Sequence, residues 1–116
     1  MAHEPQPSLQ DKVRMLRERY ASSVGDKMIE INAAYDKLVG EVGGDNQTVA
    51  IDGLMAPIHK MAGSAPTFGR ADLGEIAGKM EELLLSCRDS QNGFSKEQET
   101  TLSELMEALR QTAAIS

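Results

Sequence analysis

Apolar residues in this chain recur at helical spacing in five runs, each bounded by a capping residue, a glycine or a proline, and this pattern constrains the fold more than any other feature. The first run is Leu9, Val13, Leu16 and Tyr20, opened by Ser8 as N-cap with Asp11 three residues on, and the spacing predicts a helix ending near Ser23. Val24, Met28, Ile31, Tyr35, Leu38 and Val42 form a second helix, stopped by the glycines between Gly40 and Gly44. Asp45 offers an N-cap for a third, whose stripe is Ile51, Leu54, Met55, Ile58, Met61, Ala62 and Ala65. Pro57 removes a backbone donor inside that helix and crowds the carbonyl of Gly53, which predicts a bend. Pro66 and Gly69 end it, with Phe68 folding back as an apolar plug beneath the turn. A fourth helix from about Arg70 to Arg88 turns Leu73, Ile76, Ala77, Met80, Leu84 and Cys87 inward. Asn92-Gly93 marks a turn, and Ser95 with Gln98 forms a capping box for a fifth helix carrying Leu102, Leu105, Met106 and Leu109.

A helix with one apolar stripe must bury it against other helices, and short connections favour antiparallel neighbours. The expected architecture is all-α: the second to fifth helices close an antiparallel up-down four-helix bundle, and the first covers one end. Aromatic residues make up only 3% of the chain, which also favours helices over strands. A length of 116 residues fits one domain, read as residues 8–116 behind a flexible lead at 1–7 that contains His3.

Several function classes are disfavoured. A formal net charge of −6 works against binding nucleic acid, which depends on clustered Lys and Arg. The chain is too short for a kinase with its own nucleotide site, and the glycines at 40–44 lack the Gly-Lys-Ser/Thr ending of a phosphate cradle. Cys87 is the single cysteine, so no internal disulfide forms, and its place on an apolar stripe predicts a buried thiol. His3, His59 and Cys87 make no metal motif, and Gly63-Ser64-Ala65 is not a nucleophile elbow, so no metal or cofactor of its own is expected. Met1 to Pro7 lacks the basic start and apolar run of a signal peptide, and no stretch approaches the ~20 apolar residues of a membrane span. A cytoplasmic protein without membrane contact is the expectation.

The chemistry concentrates on His59. At ~100° per residue, His59 lies one step round from Ile58, the centre of the third helix's stripe, so the imidazole sits on the flank of the helix. The same projection puts Asp52, Ala56 and Gly63 beside it, two of them nearly without side chain, which leaves open approach space. Glu81 has the same offset from core Met80 on the fourth helix, which puts the two residues either both at the shared seam or both on the far sides, and in a hairpin folded at residue 70 they stand at similar heights. A carboxylate there would accept the Nδ1 proton, leave Nε2 as nucleophile and steady the positive charge the ring takes on when Nε2 forms a bond.

The segment His59-Lys60-Met61-Ala62-Gly63-Ser64-Ala65-Pro66-Thr67-Phe68-Gly69 resembles the active helix of histidine-containing phosphotransfer (HPt) domains, matching at His59, Met61, Ala62, Gly63, Ser64, Ala65, Phe68 and Gly69. Many members place a lysine three residues after the histidine; this chain has Ala62 there and Lys60 instead. In HPt-like domains of some chemotaxis kinases a glutamate twelve residues after the turn glycine holds the histidine, and Glu81 stands twelve after Gly69. The resemblance implies a phosphorelay intermediate, a carrier rather than an enzyme. His59 would accept a phosphoryl group from a response-regulator receiver aspartate or a sensor or hybrid histidine kinase, with Mg²⁺ supplied by the receiver. Lys60, Gly63 and Arg70 would line the receiver or phosphate environment, and the protein would act as a monomer. A helical adaptor that docks a receiver without carrying phosphate is the alternative, and the substrate domain of a chemotaxis-type kinase is a third reading.

Overall fold

The computed structural model describes residues 8–90 and 93–115. It contains four helices: α1 (Leu9–Glu41), α2 (Gln47–Ser64), α3 (Ala71–Asp89) and α4 (Lys96–Ala113), with no strand among the described residues. The lead at 1–7 with His3, and Asn92 of the expected Asn92-Gly93 turn, lie outside the described residues.

The helix boundaries follow local chemistry. Ser8 and Asp11 form a reciprocal capping box at the start of α1, and Ser95 and Gln98 form another at α4. Between α1 and α2, Gly43 takes the left-handed backbone (φ +78°) and donates its N–H to the Gln47 side chain at 2.7 Å. Between α2 and α3, Gly69 also takes the left-handed backbone (φ +85°), with its N–H donating to the Pro66 carbonyl at 3.3 Å, and the Arg70 N–H closes the turn on the Ala65 carbonyl at 2.8 Å. The α2 helix continues without interruption through Pro57, which is buried.

The two expected N-terminal helices are one. α1 runs through Ser22-Ser23-Val24-Gly25 because nothing there breaks it: the Ser22 hydroxyl donates to the Glu18 carbonyl (3.0 Å) and that of Ser23 to the Tyr20 carbonyl (2.7 Å). Both hydroxyls bond back into the preceding turn instead of capping a new helix. Gly25 costs about 1 kcal/mol of helix propensity, too little to stop a helix whose later turns are packed. The consequence is a second correction: the first run does not cover an end of the bundle. Leu9 and Leu16 are 77% and 47% exposed, and the stripe enters the core only at Tyr20.

From Tyr20 onward the stripes meet as the spacing predicts. Val24, Met28, Ile31 and Leu38 of α1 pack with Ile51, Leu54, Ile58 and Met61 of α2, with Leu73, Ala77, Met80 and Leu84 of α3, and with Leu102, Met106 and Leu109 of α4. Met55, Ala62, Ile76 and Leu105 are half-buried at the margins. Each helix touches two neighbours in the ring α1, α2, α3, α4, and the α2–α3 pair shares the largest interface. Phe68 stacks on Tyr20 with ring centroids 5.2 Å apart, the plug expected beneath the turn. Cys87 is buried, and that burial pushes its thiol pKa up.

Candidate functional site

The α2–α3 seam places the site. Across it, Asp52 pairs with Arg88 (3.2 Å), His59 with Glu81, and a Cβ on Gly74 would run into the Pro66 ring. Partners thus step forward along α2 as they step back along α3. Ile58 and Met80 are fully buried, which fixes the rotation of both helices and puts His59 and Glu81 one residue round onto the same outer edge of the seam.

His59 Nδ1 is hydrogen-bonded to Glu81 Oε2. The imidazole is 75% exposed and the glutamate 25%, so the carboxylate sits in the seam and the ring stands outside it. Ionised Glu81 can only accept, so Nδ1 carries the proton and Nε2 the lone pair. Nε2 has no hydrogen-bond partner among the described residues.

The surroundings are bare. Gly63 and Ala56 are exposed on the α2 row beside His59, and a Cβ on Gly63 would meet nothing within 4 Å. On α3, Gly78, one turn before Glu81, is equally open. Sequence reasoning passed over Gly78; the hairpin register that pairs residue 59 with 81 was sufficient to find it. It also passed over Arg88, which draws Asp52 into a cross-seam ion pair two turns from the imidazole.

The other expected contacts are placed differently. Lys60 is exposed and its ammonium has no partner among the described residues, while its carbonyl accepts the Ser64 hydroxyl at 2.7 Å. With that proton committed, the Tyr20 hydroxyl donates to Ser64 Oγ at 3.1 Å, pinning α1 to the end of α2. Arg70 does not join the site. Its guanidinium donates to the Thr112 (2.8 Å) and Ile115 (3.2 Å) carbonyls at the end of α4 and to the Asp72 carboxylate, and it is largely buried. Arg70 therefore adds a side-chain donor to the Thr112 carbonyl, which also accepts the Ile115 N–H at 3.2 Å, and supplies one to the Ile115 carbonyl just beyond α4. The Arg70 hydrogen bonds to Asp72 hold that carboxyl below the usual carboxylate range.

Among the described residues, no group of three His, Cys, Asp or Glu side chains is gathered to hold a metal. No described helix is long and apolar enough to cross a membrane.

What this arrangement offers chemically is one nucleophilic nitrogen, held in a set tautomer on a rigid helix and approachable by a large partner. Compared with known proteins, the chain matches the family model described as Hpt domain over residues 15–112. No curated protein and no solved structure matches it.

Proposed function

Because the chain belongs to the Hpt domain family, whose members carry phosphoryl groups in two-component signalling, we propose that His59 is the phosphoryl acceptor of a phosphorelay intermediate. The observation that carries this reading is the pairing of His59 Nδ1 with Glu81 beside an imidazole that is three-quarters exposed. The Nε2 lone pair attacks the phosphorus of a receiver's aspartyl phosphate in line, the P–O bond to the aspartate breaks, and the carboxylate leaves. The product is an Nε2-phosphoimidazole. Its ring carries positive charge while Nδ1 keeps its proton, and the Glu81 carboxylate stabilises that charge where it develops. The reverse step delivers the group to a second receiver.

The chain supplies positioning, and the partner supplies Mg²⁺ and the rest of the phosphate environment. Its own contribution to approach is the bare row at Ala56 and Gly63, with Lys60 as the nearby cation. Partners in this reading are receiver domains and a sensor or hybrid histidine kinase. The protein is a carrier without an ATP site, working as a cytoplasmic monomer built as an antiparallel up-down bundle.

The test is transfer of labelled phosphate from a panel of charged receiver domains, with acid and base treatment of the product. The expected label is acid-labile, base-stable and absent from His59→Gln, whose helicity and melting are unchanged. Label that persists in His59→Gln refutes the assignment. A folded protein that binds a receiver but takes no label is the adaptor instead.

A further inference from the structure

The first three turns of α1 carry an apolar stripe that the bundle never covers. Leu9, Val13 and Leu16 lead into Tyr20 at steps of four, three and four residues, yet they are 77, 38 and 47% exposed where Tyr20 is 6%. At ~100° per residue, Lys12 and Arg19 fall on one flank of this stripe and Arg17 on the other, with Asp11 and Glu18 at the back. A shallow groove runs along each side, one including Val13 and Arg17, the other Lys12, Leu16 and Arg19. The segment has four cations and two anions, net +2, which leaves −8 on the rest of a chain whose formal total is −6. An apolar seam at heptad-like spacing with like charges on both flanks is one half of a two-helix interface.

We infer that residues 9–19 of α1 are a docking rail for an acidic amphipathic helix of a partner protein. The partner's apolar stripe packs on Leu9, Val13 and Leu16, and its flanking carboxylates meet Lys12, Arg17 and Arg19. Charge decides against the other occupants. A second copy of the same segment would set basic flank against basic flank. An anionic bilayer would have to accept the acidic bundle as well, because α1 is one continuous helix and the rail cannot lie flat without it.

The rail leaves the bundle at the end nearest His59. The Arg17 side chain lies over the α2–α3 turn, where a Cβ on Gly69 would stand 3.1 Å from its Nε, and Tyr20 is tied to Ser64, five residues beyond His59. A helix held there is placed at the open end of the seam.

The test titrates the full chain with two designed helical peptides that share leucines at the seam positions and differ in carrying glutamate or lysine on the flanks. Phosphatidylserine vesicles and sedimentation of the protein alone complete the set. The glutamate peptide is expected to bind at least about tenfold tighter than the lysine peptide, as like-charge contacts across an interface cost that much or more. Val13→Ser with Leu16→Ser removes the binding while melting stays unchanged, since both positions are exposed. Lys12→Glu with Arg17→Glu and Arg19→Glu inverts the preference. Equal binding of the two peptides, binding of neither, co-sedimentation with vesicles, or a dimer abolished by Leu16→Ser would each overturn the inference.

Discussion

Replacing Gly63 with leucine is expected to make the protein more stable and a worse phosphoryl acceptor. Gly63 is exposed inside α2, and a Cβ there would meet nothing within 4 Å. Exchanging glycine for a good helix former at such a position gains about 1 kcal/mol, or roughly 4 °C in melting temperature for a domain of this size. The same side chain reaches the site. A residue four positions on has its Cβ ~5–6 Å away on the same row, and Cα–Cβ bonds tilt toward the helix N-terminus, so a leucine at 63 leans back over His59. A partner displaced by ~1 Å from attack geometry loses about 10²-fold in rate. Thermal melting and the rate of transfer from a charged receiver, measured on wild type, Gly63→Ala and Gly63→Leu, should show both variants melting higher. Only the leucine should slow uptake, by ~10²-fold. Transfer at the wild-type rate by Gly63→Leu would refute the claim that the phosphoryl group arrives along this row. A lower melting temperature would refute the open space.

Glu81→Ala should leave helicity unchanged, slow phosphoryl uptake and release the imidazole from a single tautomer; nitrogen NMR showing the same Nδ1–H form as wild type would count against the pairing. Gly74→Ala pits the same ~1 kcal/mol of helix propensity against a Cβ placed 2.5 Å from Pro66 Cγ. Overpacking costs ~1–3 kcal/mol, so its denaturant midpoint should fall where that of Gly63→Ala rises. Burial raises the Cys87 thiol pKa, so the folded state holds that proton more tightly than the unfolded chain. Its stabilising contribution is whole below the unfolded thiol pKa, ~8.5, and is lost as pH rises toward the folded value. Urea midpoints of wild type and Cys87→Ala should therefore converge or cross above that pH, and parallel curves would refute the buried thiol.

The α2–α3 hairpin was legible in the sequence because everything that sets it is local. The stripes around Ile58 and Met80 fix rotation, and the stop at Pro66 to Gly69 fixes where the chain folds back, so spacing puts His59 and Glu81 at one height with equal offsets; that both fall at the shared seam and not on the far sides is decided by how α2 packs on α3. The N-terminal half of α1 was not legible in the same way. Whether Ser22 and Ser23 cap a new helix or bond back into the old one depends on backbone geometry, and the composition Ser-Ser-Val-Gly suits both outcomes. Nor does periodicity say whether a stripe finds a partner: Leu9, Val13 and Leu16 have the same spacing as the core residues that follow and lie beyond the helices that would cover them. The contacts of Arg70 were not legible for another reason. Its acceptors, the carbonyls of Thr112 and Ile115, are more than forty residues away and carry no side-chain signature.

Arg70 nevertheless bears on the site, through the turn it follows. The register that brings residue 81 level with 59 is set where α2 gives way to α3, at the left-handed Gly69 and the hydrogen bond from Arg70 N–H to the Ala65 carbonyl. The close approach of Pro66 to Gly74 seats the first turn of α3 against that bend, and the Arg70 guanidinium ties it to the end of α4. None of these residues touches the imidazole. Yet a residue inserted or removed at the start of α3 would shift the register of its side chains by ~1.5 Å and ~100°, carrying Glu81 off the seam and leaving His59 with neither its partner nor its tautomer. The glycines and proline around residue 69 therefore set the His59–Glu81 pairing as much as the fold, which is why one segment of sequence bears on both.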